Sequence, residues 1–201
     1  MIYLASKSPR RSELLQDAGI DFKVLVTKAE ENFDLNQAVS ANAERLSILK
    51  AKAALRQIQS KKLQFLPILA ADTIVAVEGR MLGKPADKEE ATSMLHLLSN
   101  NQHSVTTGVT IVNKDIEFHT FSVESLLTFR KISEREIDKY TNTVEPYDKA
   151  GGISSQGGAK KFITKIDGSY SNILGLPIDE VLDYLVPVSY THLTLPTNRE
   201  V

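Results

Sequence analysis

An α/β fold is predicted for this chain by three observations. Short apolar runs alternate with segments of helical spacing, and Gly or Pro punctuates most of the junctions between them. The 42% hydrophobic and 24% charged content over 201 residues suits a single sizeable core. Residues 2–5 read as a buried strand, stopped by Ser6-Lys7-Ser8-Pro9, and residues 13–18 have helical spacing with Gly19 as the stop. Residues 22–26 form a second strand candidate. A polar, acidic stretch over 27–36 follows, and then a helix over 43–58, where Leu46, Leu49, Ala53 and Ile58 recur at helical intervals. Residues 66–77 are the most β-like run, closed by the turn Glu78-Gly79. Asp87 with Glu90 caps a helix ending near Leu98, and Ser133 with Glu136 caps another ending near Tyr140. Between them, residues 105–112 and 116–130 read as strands. Gly and Pro cluster over 146–177, and a final amphipathic helix covers 178–185.

Composition narrows the function classes. With 24 basic and 25 acidic residues, the net charge of -1 gives no overall pull toward nucleic acid or membrane surfaces. The absence of Cys excludes disulfides, thiolate metal ligands and a Cys nucleophile. The start shows no secretory pattern, and no run reaches the roughly 18 apolar residues of a membrane span, so a cytoplasmic location is the default expectation. One domain is expected over 1–186. Residues 187–201 lack the period of the preceding helix and read as a non-native, read-through tail; the alternative is a C-terminal arm that docks on a partner.

Asp72 stands out. An ionised carboxylate inside a strand suited to burial on both faces is costly without a cation, a metal or several donors. It is either a catalytic or metal-binding acid or a structural one satisfied by backbone amides. Thr73, next along the strand, points to the opposite face. Ser8 suits an N-cap and Pro9 the first helical position, which puts Arg10 and Arg11 at the positive end of a helix dipole. Two arginines there call for an anion such as phosphate, or else are simply solvated. Glu30 and Glu31 lie in a polar loop and supply a candidate second metal carboxylate, or are merely solvated. Lys50, Lys52, Lys84 and Lys149 are scattered along the chain, but together with the arginines they balance a triphosphate of about four negative charges. The glycine-rich stretch 151–158 matches neither a P-loop nor a dinucleotide fingerprint, and the four His residues show no metal-ligand spacing.

Taken in order, Ser6-Lys7-Ser8-Pro9-Arg10-Arg11, Ala70-Ala71-Asp72-Thr73, Gly83-Lys84-Pro85, Glu145-Pro146-Tyr147-Asp148-Lys149-Ala150-Gly151, Ser155-Gln156-Gly157 and Gly168-Ser169-Tyr170-Ser171-Asn172 with Gly175-Leu176-Pro177 closely resemble the Maf family over residues 2–186. That resemblance implies an elongated, two-lobed mixed-sheet α/β fold like that of inosine triphosphate pyrophosphatase, with a central cleft. It implies hydrolysis of nucleoside triphosphates to the monophosphate and pyrophosphate, with a divalent cation, Mg²⁺ or Mn²⁺. Asp72 would be the proton acceptor, Glu31 and Asp72 the metal pair, and Ser8, Arg11, Lys50, Lys84 and Lys149 the substrate-binding set. Arg10, Thr73 and Gln156 fall where the family sets base specificity, and these three resemble the branch acting on dTTP and UTP. A homodimer is also implied, with no nucleic-acid or membrane partner. The alternative is a nucleotide-binding regulator of septum formation with little turnover. Ile153-Ser154-Ser155 departs from the family pattern, which carries an aromatic ring in that segment.

Overall fold

The computed structural model describes residues 1–29 and 32–189, without the side chains of 186–189. Strand β1 (Ile2–Leu4) lies between β2 (Phe22–Val24) and β3 (Ile68–Val77) and runs parallel to both. Three longer-range partners, β5 (Gln102–Val112), β6 (Phe118–Phe129) and β7 (Ile163–Asp167), extend the sheet antiparallel, while β4 (Arg80–Leu82) folds back on the far end of β3. The described strands thus make one seven-stranded mixed sheet, ordered β2-β1-β3-β5-β6-β7 with β4 beside β3. The predicted α/β class is observed.

Alternation along β3 sets the layers. Even-numbered Ile68 and Ala70 pack with Ala51, Ala54 and Ile58 of helix α2 (Val39–Ser60), and Ile74 packs with its Ala43 and Leu46. Odd-numbered Leu69 and Ala71 pack on the other face with Leu15 of α1 (Pro9–Asp17) and Val181 of α6 (Ile178–Ser189). Further along that same face, Val75 and Val77 join a separate core with α3 (Lys88–Leu98) and α4 (Glu134–Thr141). Thr73 lies between these two cores. The gap between them is the cleft.

Most element ends shift by a few residues from the sequence expectation, and the larger differences have local reasons. Helix α2 begins four residues before the predicted 43 because its N-cap, Ala38, carries no capping side chain to mark it. β4 is three residues long and β7 sits inside the Gly/Pro cluster, so neither presents a period long enough to read. The backbone of α6 continues to Ser189, past the predicted end at 185. It passes through Pro187, whose missing N–H removes one helical bond without stopping the chain. Residues 190–201 of the expected tail lie outside the described residues.

Among the described residues, no helix is long and apolar enough to cross a membrane.

Candidate active site

The cleft exists because one edge of β3 is left open. β1 pairs only with Ile68 and Leu69, and β4 begins only at Val75, so residues 70–74 have no strand partner on that side among the described residues. The other edge stays paired with β5 from Ile68 to Ala76. Through the open edge both faces of β3 reach one cavity of about 650 Å³. This is how Asp72 and Thr73, pointing to opposite faces, line the same space.

Asp72 is 6% exposed, and its Oδ1 accepts a charge-assisted hydrogen bond from Lys50 Nζ. Lys50 comes from α2, which crosses the sheet at very close range. A Cβ built on Gly108, directly opposite Asp72 in the ladder, would lie 2.2 Å from the carbonyl carbon and oxygen of Ala43. Only glycine fits there without moving helix or strand. Ser47 Oγ to Thr110 Oγ1 at 2.6 Å, and Ser122 Oγ donating to Glu44 Oε1 at 2.6 Å, lock the helix in that position.

Ser8 and Pro9 begin α1 as expected, and Ser8 makes no side-chain cap bond; its own N–H donates to Ser6 Oγ. The two arginines that follow separate sharply. Arg10 is half-buried at the cleft wall. Arg11 is 7% exposed, and its guanidinium donates to Gly175 O (2.7 Å), Ala71 O (2.8 Å), Thr73 Oγ1 (3.0 Å) and Ser6 Oγ (3.1 Å). Ala71 O belongs to the open edge of β3, so Arg11 caps backbone that a neighbouring strand would otherwise satisfy. This offsets its unfavourable place at a helix N-terminus.

The opposite wall comes from residues 145–158. Gly151 N–H donates to Gly83 O at 2.8 Å, which brings the segments carrying Lys149 and Lys84 together at the cleft. Lys149 pairs with Asp148 and, with Arg10 acting from further off, holds that carboxyl below its usual range. Glu145 Oε2 accepts from Gly158 N–H at 2.8 Å, anchoring the loop that presents Gln156. The phenol of Tyr140 accepts from Ser154 N–H, and burial with the nearby Glu145 pushes it well above its usual range, so it stays neutral. Tyr140 therefore sets its hydroxyl against Ser154 and its ring edge against Gly158, and so ties this segment to α4.

Ser8, Arg10, Arg11, Lys50, Asp72, Thr73, Lys84, Lys149 and Gln156 all line this one cavity. Glu31 lies outside the described residues, although Arg45 of α2 donates to the neighbouring Asn32 carbonyl at 2.5 Å. Sequence reasoning missed Lys7, Thr27 and Asp148 on the wall, and the apolar surface formed by Val75, Val105, Leu127, Ile173 and Leu174. The lysine and the acid gave no signal apart from their neighbours in a motif. Among the described residues, no three His, Asp or Glu side chains converge. A closed all-protein metal site does not fit those residues. A cation bound through one or two carboxylates and substrate oxygens, the usual mode of Mg²⁺, fits Asp72.

An open-edged mixed sheet with a cationic cleft around one buried carboxylate agrees with what the comparisons find. The Maf-like protein family model matches residues 1–188, and the chain belongs to that family. It is 43% identical over 181 residues to the dTTP/UTP pyrophosphatase of Photobacterium profundum, covering 89% of this chain and 92% of that protein. It is 41% identical over 185 residues to the protein of the same name from Cupriavidus pinatubonensis (89% and 92% covered), and 40% identical over 184 residues to that of Bacillus pumilus (92% and 94%). Among solved structures, the Ham1 protein of Staphylococcus aureus aligns with a TM-score of 0.51 at 16% identity, over 94% of this chain and 99% of that one. This last likeness concerns the fold alone.

Proposed function

We propose that this chain hydrolyses dTTP and UTP to the monophosphate and pyrophosphate by attack of water on the α-phosphorus. The observation that carries the reading is the convergence of Lys7, Arg10, Arg11, Lys50, Lys84 and Lys149 on a single buried carboxylate, Asp72, at an open strand edge. Such a field suits a triphosphate of about four negative charges. The names of relatives about 40% identical over most of the chain support the same substrates.

In this reading Ser8, Lys50, Lys84 and Lys149 take the phosphate oxygens and the charge that grows on the leaving pyrophosphate. Arg11 supports them from beneath as a brace of the β3 edge, because the hydrogen bonds described above tie it to protein oxygens. Asp72 accepts a proton from the attacking water as the new O–P bond forms and the bond to the bridging oxygen breaks. Lys50 orients that carboxylate. A divalent cation, Mg²⁺ or Mn²⁺, would be held by Asp72 and, as the family resemblance implies, Glu31, and would supply charge neutralisation at the phosphates and acidification of the water. Arg10, Thr73 and Gln156 border the base.

The test is product analysis with dTTP, UTP, CTP and GTP in Mg²⁺ or Mn²⁺, with Asp72→Asn as control. Pyrophosphate should appear from dTTP and UTP and nearly vanish in the variant. Orthophosphate as the primary product, or an unaffected variant, overturns the proposal.

A further inference from the structure

We infer that Thr107, a residue that does not line the cleft, selects the base by fixing which way the Thr73 hydroxyl points. This deepens the proposed reading of the site and rests on it for the substrate class. Thr73 Oγ1 accepts from Arg11 Nη2 at 3.0 Å and lies 2.9 Å from Thr107 Oγ1. Thr107 is fully buried, and its Oγ1 lies 3.2 Å from the carbonyl oxygen of Asn172. A carbonyl oxygen cannot donate, so the single hydroxyl hydrogen of Thr107 lies on that contact; otherwise two oxygens would face each other without a proton in a dry site. The hydrogen between the two threonines then belongs to Thr73.

The chain of donors therefore runs one way, from Arg11 to Thr73 to Thr107 to the Asn172 carbonyl. Its last member is rigid: Asn172 is fully buried, with Nδ2 donating to Val105 O (2.9 Å) and Ser125 Oγ (3.0 Å). With its hydrogen committed inward and one lone pair taken by Arg11, Thr73 offers the cleft an acceptor only. It stands beside the apolar wall of Val75, Val105 and Ile173, the part of the cavity suited to a base. An acceptor there matches the ring imide N–H of uracil or thymine. It opposes the bare ring nitrogen that cytosine presents at the same position. Thr107 is thus a positioning residue, acting through Thr73.

Thr107→Val keeps the shape and removes the acceptor that holds the Thr73 hydrogen. The experiment compares kcat/KM for UTP and CTP, and in parallel the affinities for UMP and CMP by calorimetry, in wild type, Thr107→Val and Thr107→Ser. The expected result is a fall of about tenfold in the UTP:CTP and UMP:CMP ratios for the Val variant, with the ratio restored by Ser. Equal losses for both bases, as a merely destabilised fold would give, overturn the inference, as does a wild type that binds UMP and CMP alike. Absence of pyrophosphate release from every nucleotide overturns the proposed function instead, while the monophosphate affinities still decide the role of Thr107.

Discussion

The two ends of the cleft are built on opposite principles. On the Thr73 side, Arg11, Thr107 and Asn172 are buried, and the polar contacts described there run to protein oxygens. On the phosphate side, Lys84 is exposed and Lys149 leans on the exposed Asp148. The first end is held by protein contacts before substrate arrives, so it discriminates by geometry. The second is an array of flexible cations of the kind that a polyanion draws together, with long side chains losing entropy on binding. Selectivity and affinity are thereby assigned to different neighbourhoods of one cavity.

The largest effect expected is that of Asp72→Asn, which removes the proton acceptor between the two ends. Turnover should fall about 10³-fold in a pyrophosphate assay, while thermal shift by dTTP persists. Next comes Gly108→Ala, which forces a methyl group into the backbone of α2. Thermal or denaturant unfolding should show a loss of about 3 kcal/mol or more, and residual activity should drop because Lys50 moves from Asp72. Acid should then act on the core beneath α3 and α4. His103 is 2% exposed among Phe129 and Leu127, both ring nitrogens lack hydrogen-bond partners among the described residues, and burial lowers its pKa to about 4. The unfolded chain binds the proton near pH 6.5 and the fold resists it. The contribution is therefore complete above pH 6.5 and is lost as pH falls toward 4, by about 3 kcal/mol, and His103→Leu should flatten that slope in melts from pH 7 to 4. The smallest effect is Lys84→Ala, a single exposed cation among several. KM for dTTP should rise about tenfold at low salt and less at high salt, with the base preference unchanged.

What the sequence discloses divides along the same line. Asp72 is legible because one acid interrupts an apolar strand. The caps at Asp87 and Ser133 are legible because their partners sit three residues on, and both form: Asp87 accepts from Glu90 N–H, and Glu136 returns to Ser133. Gln156 is a candidate only as a member of an ordered motif, and Lys84 and Lys149 count only as parts of a cation set, since a single solvated polar side chain has no local signature. The role of Arg11 was hidden for a different reason. Two of its acceptors are backbone carbonyls, at Ala71 and Gly175, and a carbonyl is the same whatever residue bears it. The relay through Thr107 ends on another carbonyl, that of Asn172, and so was equally silent.

Gly108 gives this arrangement a mechanical meaning. Because the α2 backbone rests against the sheet directly opposite Asp72, a hard backbone contact sets the height of the helix from which Lys50 reaches that carboxylate. A larger residue at that point lifts the helix, and Lys50 is drawn away from Asp72 with it. Tolerance to mutation and competence for chemistry are therefore one constraint at this position, and selection cannot relax one while keeping the other.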